Sequence, residues 1–293
     1  MKTAFVFPGQ GSQVIGMGKN LAEAYLDRAN QILGFDLKQL CFEGPGDKLK
    51  KTEITQPAIL TVSVAAYEFL KNKGIPSPSA VAGHSLGEYS ALVAAGSITF
   101  EDAVRIVNLR GKFMQEAVPL GEGSMAAIIG LAKDQVDNCC IKASELGVVS
   151  AANLNSPGQV VISGKKEAVE KASALCKEAG AKRTVPLQVS APFHCALMQP
   201  AADKLKAELD KIEVKDAQIP VVANVTADYA TNGPEIRDLL YKQVTNPVKW
   251  EDSVKKMVAD GTKSFIEVGS GNILAGLIKK CDRSVEVKSF QEV

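Results

Sequence analysis

The chain has 293 residues, enough to bury a full core in one large domain or two unequal ones. Lys and Arg (34) almost balance Asp and Glu (33), and a formal net charge of +1 argues against a nucleic-acid partner. No apolar run reaches the roughly 18 residues of a membrane span, so no membrane partner is expected. The six cysteines form no C-x-x-C pair, and with only two histidines they suggest no metal site.

In chain order, MKTAFVFPGQG has an apolar run of only about five residues before Pro8 and Gly9, too short for the core of a signal peptide. It predicts a first strand over residues 4–7. Scattered thiols in a chain without an export signal fit a reducing cytoplasm. The loop Phe7-Pro8-Gly9-Gln10-Gly11-Ser12-Gln13 follows. It is neither a P-loop nor a G-x-G-x-x-G turn, because Val14 stands at the third glycine position. Glycines on both sides of Gln10 instead suit a backbone whose N–H groups point into a site. Helical patterns cover 20–33 and 57–72, and a short apolar run covers 80–82.

Next comes Gly83-His84-Ser85-Leu86-Gly87, which fits G-x-S-x-G. In that pattern a strand ends in a sharp turn that lifts the serine onto its tip. From Leu86 onward the pattern is helical, so free N–H groups of the helix start lie beneath the hydroxyl and can stabilise an oxyanion. The Leu86 N–H and the Gln10 loop together would make a two-donor oxyanion hole. The five-residue pattern alone also fits an ordinary strand–helix connection. A helix over 101–117 follows.

The middle of the chain changes character. Strand 125–129, helix 133–145, strands 148–152 and 159–163 around a turn-rich 153–158, helix 165–179 and strand 182–187 spell βαββαβ, a ferredoxin-like unit. Gly121 and Gly123 precede it and Pro192 follows. The expected organisation is a large α/β-hydrolase-like domain, residues 1–123 and 195–293, with a mainly parallel sheet. Residues 124–194 form an inserted small domain, with a ligand cleft between the two. A helix over 201–212 and a strand over 264–268 belong to the large part.

A nucleophilic serine needs a base. His84 adjoins Ser85 on the turn, where neighbouring side chains diverge, which leaves His194 in Ala191-Pro192-Phe193-His194-Cys195. Serine before histidine is also the order of α/β-hydrolases. No acidic third member stands out. Cys195 reads as a small buried residue rather than a nucleophile.

Several motifs then carry a resemblance end to end: FPGQGSQ, GHSLGEYSAL, LRGKFMQ, GSMAAIIGL, NSPGQVVISG, APFHCALM, NPVKW and EVGSGNIL. The chain resembles the malonyl-CoA:acyl carrier protein transacylases of bacterial type II fatty acid synthesis. The resemblance implies Ser85 as nucleophile, His194 as base, and the backbone N–H groups of Gln10 and Leu86 as the oxyanion hole. It implies that a carbonyl of Gln243 orients the histidine, which accounts for the missing acid. Arg110 is implied to bind the malonyl carboxylate, with Phe193 and Gln159 as further substrate contacts. The phase of Arg110, three residues from both Val107 and Phe113, turns it inward, where a guanidinium needs an anion.

The expected partners are malonyl-CoA and acyl carrier protein, without metal or bound cofactor. Lys182, Arg183, Lys279 and Lys280 are candidates for a basic rim that steers an acidic carrier. A trans-acting polyketide acyltransferase, a serine thioesterase and a binding module without turnover are the competing readings.

Overall fold

The computed structural model describes residues 2–189 and 191–293. The strands of the larger sheet are β1 (Lys2–Phe7), β2 (Ala80–Gly83), β7 (Val221–Val222), β8 (Tyr229–Ala230), β9 (Thr262–Glu267) and β10 (Glu286–Ser289). Those of the smaller are β3 (Gly123–Ile129), β4 (Val149–Ser156), β5 (Gln159–Lys165) and β6 (Arg183–Pro186). The larger sheet runs β10–β9–β1–β2–β7–β8 and is parallel except for the final β7–β8 pair. Its central strands read as unbroken apolar runs because both faces are covered. Ala4, Val6, Ala80 and Ala82 pack with Trp250 and Phe265 on one face. Phe5, Phe7 and Val81 join the main core on the other.

The smaller sheet, ordered β4–β5–β3–β6, is antiparallel throughout. Counted along the chain that is second, third, first, fourth, the ferredoxin-like order. Two helices, Lys133–Ala143 and Lys166–Glu178, cover one face over a separate core that includes Ile128, Val136, Ile162 and Val169. The two sheets are stitched together where β4 meets Val248: Leu154 N–H donates to its carbonyl and its own N–H donates to Ala152, each at 2.9 Å.

That junction corrects one expectation. Residues 153–158 are not a turn-rich connection, since β4 continues to Ser156 and the hairpin closes over Pro157 and Gly158. Two register irregularities, Ala151/Asn153 and Leu154/Ser156, bend the strand towards Val248. The polar letters mark bulges and a second partner rather than the end of the strand.

The second correction concerns Pro57. It does not start its helix, which begins at Thr52 and runs to Asn72. A proline there strips an N–H from the ladder and frees the carbonyl four residues back. That carbonyl, on Glu53, accepts a hydrogen bond from Asn108 Nδ2 at 2.7 Å. Asn108 belongs to the helix Phe100–Glu116, and three residues on, Gly111 lies against the same turn. A Cβ at Gly111 would fall 2.7 Å from Glu53 Cα. This close crossing sets the position of Arg110.

The G-x-S-x-G turn lies between β2 and the helix Gly87–Ala94. Both glycines are required by contact. A Cβ on Gly83 would fall 1.9 Å from the Gly87 carbonyl carbon, and one on Gly87 would fall 2.1 Å from the Phe7 carbonyl oxygen. Gly87→Ala is therefore expected to lower the thermal midpoint by several degrees, for about 1–3 kcal/mol of overpacking. An unchanged midpoint by calorimetry would contradict the contact. No helix among the described residues is long and apolar enough to cross a membrane.

Candidate active site

Ser85 sits at the tip of the turn with a φ of 52°. A left-handed conformation is costly for a residue with a Cβ, about 1–3 kcal/mol, and persists only where surroundings enforce it. Here Asn224 enforces it. Its Oδ1 accepts from the Ser85 N–H at 2.7 Å, while its Nδ2 donates to the Gly83 carbonyl at 2.7 Å. The hydroxyl is thereby held off the backbone and into the cleft between the two sheets.

His194 lies in the segment that follows β6, and is also left-handed at φ 59°. Its Nδ1 lies 2.8 Å from the Gln243 carbonyl oxygen and its Nε2 lies 2.7 Å from Ser85 Oγ. A carbonyl oxygen can only accept, so Nδ1 carries the proton and Nε2 is left to accept from the hydroxyl. Burial, and then the Arg110 charge, push the imidazole down to about 3. The ring is consequently neutral at physiological pH, the state a general base requires.

Arg110 is 1% exposed. Its Nη1 donates to Gln56 Oε1 at 2.8 Å, and its Nη2 donates to Gln243 Oε1 at 2.9 Å and to Ser85 Oγ at 3.1 Å. The guanidinium lies over the Tyr89 ring, 5.6 Å from its centroid. Among the described residues no carboxylate forms an ion pair with it, and its Nε–H has no acceptor. A buried cation without an anion, 3.1 Å from a nucleophile, is a place for a negatively charged substrate group.

Gln10 and Leu86 line the same cleft as Ser85, and Phe193 closes one side of it. The Gln10 loop is pressed onto the turn so tightly that a Cβ on Gly9 would fall 2.4 Å from the His84 carbonyl oxygen. Among the described residues neither the Gln10 nor the Leu86 N–H donates to an acceptor. Gln159 lies further out, in an adjoining chamber that shares Gln10, His84, Asn153 and Leu187 with the first. Its Oε1 accepts from Lys280 Nζ at 3.0 Å, which puts Lys280 at the cleft's outer lip. Lys279 turns away to the Val285 carbonyl. Lys182 and Arg183 are exposed at the start of β6.

His84 Nε2 lies 2.8 Å from Asn155 Oδ1, across the cleft, and has no contact with the hydroxyl. Cys195 is 1% exposed, its thiol raised by burial and donating to the Pro192 carbonyl at 3.2 Å, a structural arrangement. Sequence reasoning missed Gln56, Asn224 and Glu88. Glu88 Oε2 accepts from the Asn224 N–H at 3.0 Å and from Gln243 Nε2 at 2.9 Å. The available signal was a lone charge in an otherwise uncharged helix, GEYSALVA.

A strained serine in contact with a neutral histidine, facing free backbone donors on an α/β framework, defines the serine acyl-transfer class. The comparisons agree. A family model described as the acyl transferase domain matches residues 4–292. The chain is 54% identical to the malonyl CoA-acyl carrier protein transacylase of Escherichia coli K12, over 99% of this chain and 96% of that one. It is 51% identical to the protein of that name from Bacillus subtilis, over 97% and 92%. Among solved structures, an acyl carrier protein S-malonyltransferase from Vibrio cholerae superposes with a TM-score of 0.96 at 47% identity, covering 99% and 96%. A malonyl-transacylase in complex with a type II polyketide acyl-carrier protein does so with the same score, identity and coverage. The chain belongs to the malonyl-CoA–acyl carrier protein transacylase family.

Proposed function

We propose that Ser85 and His194 carry a malonyl group from CoA to the phosphopantetheine thiol of acyl carrier protein in two displacement steps. His194 Nε2 takes the Ser85 proton as Oγ attacks the thioester carbonyl, and the oxyanion is held by the Gln10 and Leu86 N–H groups. The tetrahedral intermediate expels CoA thiolate, which takes the proton back from the imidazolium, leaving a malonyl ester on Ser85. The carrier thiol then repeats the sequence in reverse, losing its proton to His194 and restoring the serine. Arg110 holds the malonyl carboxylate throughout. A thiolate is a good leaving group, so a histidine oriented by the Gln243 carbonyl suffices without a buried acid.

The observation that carries this reading is the unpaired guanidinium of Arg110, 3.1 Å from the Ser85 hydroxyl. Phe193 bounds the acyl pocket, and Gln159 and Lys280 meet the CoA or carrier arm in the outer chamber. Residues 124–194 form the inserted domain, a division supported by the separate core and order of the small sheet. The six cysteines are all free, in keeping with a cytoplasmic setting.

The test is to give the protein malonyl-CoA with and without a phosphopantetheinylated carrier protein. Malonyl-carrier should accumulate with the acceptor and free malonate should stay near background without it. Rapid release of malonate in the absence of carrier would make the protein a thioesterase instead.

A further inference from the structure

Glu88 is 3% exposed and one helical turn after Ser85, and no step above uses it. It is the acidic group joined to Arg110 by a single intervening residue. Gln243 Nε2 donates to Glu88 Oε2 at 2.9 Å, and Gln243 Oε1 accepts from Arg110 Nη2 at 2.9 Å. The amide is thus aligned between a carboxylate and a guanidinium, each drawing on the end that suits it. The same residue's backbone carbonyl accepts from His194 Nδ1. Gln243 Nε2 also lies 3.0 Å from the Ser85 carbonyl oxygen. One glutamine therefore touches the base, the cation and the nucleophile's backbone, and Glu88 fixes which way its amide faces.

We propose that Glu88 is a positioning residue that serves, through the Gln243 amide, as the remote counter-charge of Arg110 and sets how strongly the site depends on a carboxylate in the acyl group. The inference rests on the malonyl reading above. With Glu88 ionised, part of the Arg110 field is cancelled, and His194 keeps its basicity even when no carboxylate is bound. With that charge gone, only a substrate that brings its own carboxylate restores the balance. An acetyl group cannot. Loss of the Glu88 charge should accordingly penalise acetyl transfer more than malonyl transfer. A role limited to accepting hydrogen bonds makes no such distinction.

Glu88→Gln separates the two, because the amide oxygen still accepts from Asn224 and Gln243 while the charge is removed. The malonyl-to-acetyl ratio of kcat/KM should rise by about fivefold or more, a size reasonable for one unit charge across an amide at intermediate dielectric. In an Arg110→Ala background the same substitution should leave the ratio unchanged. An unchanged or lower ratio in folded Glu88→Gln overturns the proposal.

Wild-type enzyme gives a second route that needs no variant. Burial raises the Glu88 carboxyl to about 7, with Gln243, Asn224 and Arg110 opposing. The charged and titratable groups facing it are Arg110 and Tyr89, the latter pushed up by burial to about 12. Glu88 should then be ionised above about pH 7 and neutral below, so the ratio should rise as pH falls from 8 to 6. A flat ratio across that range overturns the proposal even if Glu88→Gln fails to fold. Failure of wild-type enzyme to transfer malonyl at all would instead count against the function proposed above.

Discussion

His194→Ala is expected to cut malonyl transfer by about 10²–10⁴-fold, the usual contribution of a positioned base. The far-ultraviolet circular dichroism should stay native, because the ring's two hydrogen bonds end on Ser85 and a backbone carbonyl rather than on the core. The pH dependence is part of the same expectation. A histidine depressed below its ordinary 6.5 is neutral across the whole neutral range, so its base form is lost only as pH falls through the depressed value. The kcat/KM profile for malonyl-CoA should therefore show no loss attributable to His194 between pH 8 and 6.5. Near wild-type activity in the alanine protein would make water or His84 the base, against the geometry.

Arg110→Ala is expected to change selectivity as well as rate. Removing one partner of a buried charge pair costs about 2–5 kcal/mol. At about 1.4 kcal/mol per decade, malonyl transfer should fall about 30- to 4,000-fold. An acetyl group has no carboxylate to lose, and the deleted guanidinium leaves room for a methyl. Acetyl transfer should be kept or raised. The measurement is kcat/KM for both thioesters in both proteins. Equal losses for the two would reduce Arg110 to a structural residue or a CoA contact, since its bonds to Gln56 and Gln243 also tie helices together.

How legible the site was depended on how local each signal is. Ser85 was readable because the turn's steric demand is written into five consecutive residues, and the contacts of Gly83 and Gly87 with backbone show why. His194 was reached by scarcity, as one of only two histidines. The inward direction of Arg110 followed from helical phase. What phase could not give was its surroundings: Gln56 and Gln243 arrive from helices 54 and 133 residues away in sequence. Asn224 is further hidden, because its work is done on the backbone of Ser85 and Gly83, which leaves no trace in a local pattern. In the fold, the ferredoxin-like order was legible from alternating periodicities. Residues 153–156 and Pro57 were misread because their polar and cyclic side chains usually end elements. Pairing with Val248 and capping by Asn108 supplied the missing partners from elsewhere in the chain.

The central claim is a covalent malonyl ester on Ser85. Intact-protein mass spectrometry after mixing with malonyl-CoA alone, followed by peptide mapping, tests it most directly. One malonyl group should be added per chain, located on Ser85, and Ser85→Ala should acquire none. A malonyl group that persists in Ser85→Ala, or that maps to Cys195, would contradict the account.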